Sequence, residues 1–149
     1  MKHFMVVLIV AGFSFLLDEA SAASIDEAKA IFDRYVLLEH NFDSAVADLY
    51  ADDALIRNKR TYPTGQVREL SIPAAQYKAL IRQAMPLAKA GGDISSYSKV
   101  TFTDEGSGVR VHANRFSNLK RYISPLTLLI APDKSGTWLI REELSESQP

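Results

Sequence analysis

Beyond residue 93 the chain carries only strand and turn patterning, and this stretch limits the possible folds more than any other. Residues 94–103, 109–116, 120–131 and 137–144 are rich in β-branched and aromatic side chains. Asp104-Glu105-Gly106-Ser107-Gly108 and Pro132-Asp133-Lys134-Ser135-Gly136 supply turn chemistry between them. Connections this short join antiparallel strands, because a parallel return needs a crossover of a dozen residues or more. Ser124-Pro125 predicts a bulge or bend in the third strand, since proline cannot donate to a ladder. Ahead of this block the pattern is helical with one interruption. Ser24-Ile25-Asp26-Glu27 reads as a capping box, followed by a stripe of Ile25, Ala28, Phe32, Tyr35 and Leu38 down to His40-Asn41. Asp43 is placed to cap a short helix over 44–50 that turns Val46, Leu49 and Tyr50 inward. Residues 54–60 and 66–70 form a hairpin about Pro63-Thr64-Gly65. Pro73 opens another helix that buries Tyr77, Leu80, Ile81, Ala84 and Leu87, with Pro86 kinking or ending it and Gly91-Gly92 stopping it. Helices grouped against an antiparallel sheet make an α+β domain. A curved sheet with a long helix across its concave side leaves a funnel, whose mouth suits a small ligand.

The first 22 residues read differently. Lys2 precedes an almost wholly apolar run over 4–17, and Ala20-Ser21-Ala22 is a small-x-small site. This is the form of a secretory signal peptide, too short for an ordinary membrane-spanning helix of ~20 residues. Cleavage after Ala22 or Ala23 is expected, giving a periplasmic or secreted domain over 23–149 with no stable membrane span. Removing residues 1–22 takes away Lys2, Asp18 and Glu19, so 17 basic and 18 acidic side chains become 16 of each. A balanced charge argues against nucleic acid as a partner, which needs a cationic surface. The absence of cysteine removes disulfides, thiol nucleophiles and cysteine-ligated metals. About 127 residues must therefore be held by one hydrophobic core.

Phe32-Asp33-Arg34-Tyr35-Val36 and then Phe42-Asp43-Ser44-Ala45-Val46-Ala47-Asp48-Leu49-Tyr50-Ala51-Asp52-Asp53-Ala54 resemble the opening of nuclear transport factor 2-like domains, the SnoaL-like and ketosteroid isomerase-like superfamily. The resemblance implies a cone-shaped, curved antiparallel sheet wrapped around N-terminal helices, often dimeric, with a pocket between helices and sheet. In the isomerases a tyrosine on the first helix, an aspartate base and a protonated aspartate carry the reaction. Tyr35 matches the tyrosine. The base position falls on Asn58, which cannot take a proton at neutral pH, and the third falls near Leu126-Thr127-Leu128, without a carboxylate.

The candidate pocket residues are Tyr35, Ile56, Asn58, His112 and Trp138. Tyr35 is either a core aromatic or a pocket donor. Asn58 shares a strand face with Ile56 and Ala54, and its amide offers both donor and acceptor. His112 has the parity of Arg110, Asn114 and Phe116, and reads as a pocket base or a half-exposed structural histidine. Trp138, alternating with Ile140, Glu142 and Leu144, lines the pocket, packs in the core or anchors a homodimer through the sheet face. Arg57, Lys59, Arg60 and Arg68 make the densest basic cluster, either a solvated edge or a seat for an anionic ligand or lipid. Two histidines in the predicted mature chain, with no paired spacing, argue against a metal. No phosphate loop or dinucleotide fingerprint implies a cofactor. The expected function is small-ligand binding without catalysis. The alternatives are an isomerase, cyclase or lyase using Tyr35 and His112, and an interaction module in a cell-envelope assembly.

Overall fold

The computed structural model describes residues 11–148, with side chains from residue 19 onward. Helix α1 (Ala11–His40) leads into a 3-10 turn (Ser44–Leu49), strands β1 (Tyr50–Thr61) and β2 (Val67–Ile72), helix α2 (Ala74–Gly91), and then β3 (Ser95–Asp104), β4 (Val109–Ser117), β5 (Ile123–Pro132) and β6 (Trp138–Ser147). This is the α+β order expected from the sequence. The strands form one sheet ordered β2-β1-β6-β5-β4-β3. Its edges, β2 and β3, do not pair with each other, so the curved sheet is an unclosed cone with the helices inside it.

The sheet is not wholly antiparallel. Its two halves join where β1 runs parallel to β6, from Tyr50 beside Ile140 to Arg60 beside Ser147. A parallel neighbour requires a long connection, and here that connection is everything between residues 61 and 138. The last strand also runs on to Ser147, three residues past the strand expected over 137–144, and pairs there with β1.

Ser24 does not cap a helix. Nothing over residues 20–23 breaks the helical path, and α1 passes straight through. The Ser24 hydroxyl donates instead to the Ala20 carbonyl, 3.1 Å away, the usual fate of a mid-helix serine. Of the predicted leader, residues 1–10 lie outside the described residues. No described helix is long and apolar enough to cross a membrane. Downstream, α1 presents Ala28, Phe32 and Tyr35 to the core, with Ile25 and Leu38 packed against it.

Asp43 caps the 3-10 turn as expected, accepting from the Ala45 amide at 2.8 Å. Helix α2 is rotated from its expected orientation. Ala74, Tyr77, Ile81 and Met85 face inward, while Leu80 is 43 % and Leu87 75 % exposed. Pro86 does not end this helix, which continues to Gly91. Gly92 then adopts φ 65°, and the Gly92 and Asp93 amides donate back to Lys89 and Ala88, a Schellman cap.

The inner face of the sheet completes the core with Ile56, Val109, Val111, Leu126, Leu128, Ile130 and Ile140. Gly108, just before β4, is held there by lack of space. A Cβ at this position would lie 2.6 Å from the Ala131 Cβ and 2.9 Å from the Ile130 carbonyl oxygen. Backbone in mid-sheet cannot move aside, so Gly108→Ala is expected to lower the unfolding free energy by about 1–3 kcal/mol, read as a reduced urea midpoint at constant slope.

Candidate functional site

The interior of the cone is greasy at its centre and polar toward one end. Four tyrosines reach inward: Tyr35 from α1, Tyr50 at the start of β1, Tyr77 from α2 and Tyr97 from β3. The Tyr50 and Tyr77 hydroxyls both donate to Glu143, Tyr77 at 2.8 Å to Oε1 and Tyr50 to Oε2. Their rings meet edge to face, 5.4 Å apart. The Tyr97 hydroxyl donates to Glu39. Burial, reinforced by neighbouring carboxylates, pushes all four phenols upward: Glu143 and Glu39 for Tyr35, Glu143 for Tyr50 and Tyr77, and Glu39 with Tyr35 for Tyr97. They are protonated donors at neutral pH rather than bases.

Glu143 is 1 % exposed, and a bulge puts it there. Ile130 pairs with Ile140, but Leu129 pairs with Glu142, so Arg141 is the extra residue and the alternation slips by one. Strand β1 carries a matching irregularity between Tyr50 and Leu55, and Arg141 donates to Asp53 across it at 2.9 Å. Beside them Asp52 accepts from Lys78 at 2.6 Å, which holds the Asp52 carboxyl below its ordinary range. The Asp52-Asp53 pair thus lies within β1.

Near the ends of β3, β4 and β5 a cavity of about 210 Å³ opens between α1, α2 and the sheet. Phe42, Met85, Ala88 and Tyr122 give it apolar walls, and Glu39, Asp93, Arg115 and Lys120 give it charge. Arg115 is the inward cation. It follows Val109, Val111 and Ala113 on the inner face of β4, and its Nη2 donates to Ser124 Oγ at 3.2 Å. The buried Ser124 in turn donates to the Glu146 carbonyl. Burial works against the Arg115 charge, but Tyr35, Tyr97 and the carboxylates of Glu143 and Glu39 outweigh it, and the net shift is upward. The guanidinium therefore stays ionised.

Phe42 is held under strain at this mouth. It stands at φ 55°, while its amide and that of Asp43 donate to Glu39 and Leu38. That is the helix-ending position where glycine is usual, and a side chain there costs roughly 1–2 kcal/mol. Phe42→Gly removes this strain together with a half-buried ring. The change in unfolding free energy is expected to stay within about 1 kcal/mol, measured by urea denaturation.

None of the five residues singled out in the sequence lines this cavity. Tyr35 and Ile56 are buried in the core. Asn58 is half-buried with its amide engaged: Nδ2 donates to Ser145 Oγ at 3.0 Å, and Oδ1 accepts from Ser147 at 2.9 Å. It ties β1 to β6. His112 is exposed on the outer face, 3.0 Å from Thr127 Oγ1. Its parity with Arg110 and Phe116 already placed it opposite the Val109, Val111 and Ala113 face. Trp138 packs against the core at the opposite end of β6, ~20 Å along the strand from Ser145. The bulge at Arg141 breaks its expected alternation with Glu142 and Leu144.

The basic cluster is a partnered surface. Arg57 pairs with Glu69 and Lys59 with Glu146, at 3.7 and 3.6 Å, and Arg60 and Arg68 both lie over the Tyr62 ring. Among the described residues, no group of three or more histidine or acidic side chains is arranged to hold a metal.

No family model and no curated protein matches the sequence. Solved structures do match. A protein with a cystatin-like fold from Novosphingobium aromaticivorans, described as nuclear transport factor 2-like, aligns over 93 % of this chain and 90 % of its own, with a TM-score of 0.61 and 17 % identity. The fold is the nuclear transport factor 2-like fold. A candidate dehydratase of that family from Streptomyces avermitilis matches at TM-score 0.58 and 12 % identity, covering 84 % of this chain and 96 % of its own. A candidate ketosteroid isomerase from Parabacteroides distasonis matches at 0.54 and 11 %, covering 80 % and 83 %. Such distant likenesses fix the nuclear transport factor 2-like architecture and leave the chemistry to the residues themselves.

Proposed function

We propose that the chain is an exported domain that binds a small ligand in the cavity at the mouth of the cone, without chemistry of its own. The observation that carries this reading is the cavity itself: open at one end between both helices and the sheet, with an apolar side at Phe42, Met85 and Ala88 and a polar side that includes Glu39, Asp93 and Arg115. Larger hollows occur, a trough of about 650 Å³ between Asp53 and Lys134 and one of about 580 Å³ that Ile56 lines with Ala54, Ile72 and Pro73, but neither is lined by residues of both helices. The absence of chemistry is argued from the proton acceptors. Glu143 and Glu39 already accept tyrosine hydroxyls, and the resemblance to ketosteroid isomerases implies an amide, Asn58, at their base position.

Export is argued from the cationic start, the apolar run and Ala20-Ser21-Ala22. Cleavage after Ala22 would remove Ala20, the present acceptor of the Ser24 hydroxyl, and free Ser24 to cap the shortened helix. The test is to produce the full chain in a secreting host and weigh it twice. Denaturing mass spectrometry should show loss of residues 1–22 or 1–23. Native mass spectrometry should show a small molecule carried along, whose re-addition raises the melting temperature. An uncleaved chain overturns the export reading. A cleaved chain that carries nothing and is not stabilised by extracts of the host overturns the binding reading.

A further inference from the structure

We infer that the ligand cavity takes a small organic acid, its carboxylate seated on Arg115 and its apolar body against Phe42, Met85 and Tyr122. This rests on the cavity being the binding site and names the class of molecule that fits it. The charged groups that line the cavity differ in how they are partnered. Both of its carboxylates already have donors: Glu39 accepts from Tyr97, and Asp93 accepts from Ser117 at 3.0 Å. Its cations lack direct partners of that kind, although Glu39 and Glu143 lie near enough to favour the Arg115 charge. Among the described residues Arg115 makes no ion pair, and the one hydrogen bond its guanidinium donates is from Nη2 to Ser124. Nor does the Lys120 ammonium, at the rim, pair with a carboxylate among the described residues.

A guanidinium carries several N–H donors in a planar fork that matches a carboxylate through two parallel bonds. Ser124 occupies one arm of that fork and fixes its orientation, because its own proton is directed to the Glu146 carbonyl. The remaining donors are held pointing from a rigid strand, which reduces the cost of ordering them on binding. The opposing wall is apolar and the space small: about 210 Å³, below the ~300–1,000 Å³ of drug-sized sites. A single acid group on a compact aromatic or short aliphatic body meets both conditions. A large polyanion or a sugar meets neither.

Benzoate and benzamide differ in charge but hardly in shape, and they test this directly. Both are titrated into the full chain, with binding followed at the backbone amides of Ser95, Ser117 and Ser124. Benzoate is expected to bind at least ~10-fold more tightly than benzamide, and Arg115→Gln to weaken benzoate far more than benzamide, removing most of that difference. Arg115→Lys, which keeps the charge and loses the fork, should restore only part of it. Should Arg115→Gln fail to fold, the wild-type benzoate-to-benzamide ratio and the Lys variant decide the matter. Equal affinities in the wild type overturn the inference and leave the cavity standing as a binding site. The same holds for benzoate binding that Arg115→Gln does not weaken. Absence of any benzoate-induced shift also overturns it, whereas the binding reading itself falls only with the native mass measurement.

Discussion

Replacing Glu143 by alanine is expected to lower the unfolding free energy by about 3 kcal/mol. The carboxylate sits on β6 inside the cone, with one oxygen accepting from Tyr50 and the other from Tyr77. Hydrogen bonds to a charged group contribute about 1.5–3 kcal/mol each, and a buried hydroxyl left without a partner costs about 1–3 kcal/mol. Against this, removing a buried charge relieves its own desolvation, so the sum falls short of two full bonds. Glu143→Gln separates these effects. Its amide oxygen accepts from one tyrosine and its NH2 donates to the other, so a loss nearer 1 kcal/mol is expected. Urea melts at constant slope measure both. If Glu143→Leu proves neutral, the carboxylate does not hold the two tyrosines together.

Phe32→Ala is expected to cost about 3–5 kcal/mol, a fall in melting temperature of roughly 10 °C. This ring is the centre of the aromatic packing under α1. It lies stacked on Tyr35 and edge to face with Tyr97 and Phe102, at centroid distances of 6.2, 5.8 and 5.9 Å. Removing it leaves a hole between helix and sheet that neither β3 nor β4 can close without breaking its ladder. Phe32→Leu fills most of that volume and should recover over half of the loss. Differential scanning calorimetry on the three proteins gives the comparison, and equal melting temperatures for Phe32→Ala and wild type would place the packing elsewhere.

Both residues show what a sequence reveals and what it conceals. Phe32 was legible because it lies on a three- and four-residue stripe with Ala28 and Tyr35, and helical periodicity is a local property. Asp43 and the turn glycines were legible for the same reason: Gly65, Gly106 and Gly136 all take the left-handed conformations their turns require. Glu143 was hidden by one inserted residue. A bulge reverses the parity of everything after it, and nothing in the sequence around Arg141 announces the bulge. The parallel pairing of β1 with β6 was equally silent, since residues some ninety positions apart leave no local pattern. Leu80 and Leu87 misled about α2 because leucine on a helix suggests burial, whereas Ala74, Ile81 and Met85 define the inward side. At the site, Asn58 and His112 drew attention as polar residues within strands, yet one ties two strands together and the other faces outward. Arg115 was the legible signal overlooked: an arginine continuing the Val109, Val111, Ala113 alternation is an inward cation, and an inward cation marks a polar site.

The seam between β1 and β6 sets the timing of folding. The second edge of β1 and the Glu143 acceptor of Tyr50 are supplied only by the ten-residue strand β6, so this part of the sheet closes late. Contacts of such long range slow the search for the native state. For an exported chain, as proposed above, that delay would keep the polypeptide unlocked while it is threaded through a translocation channel.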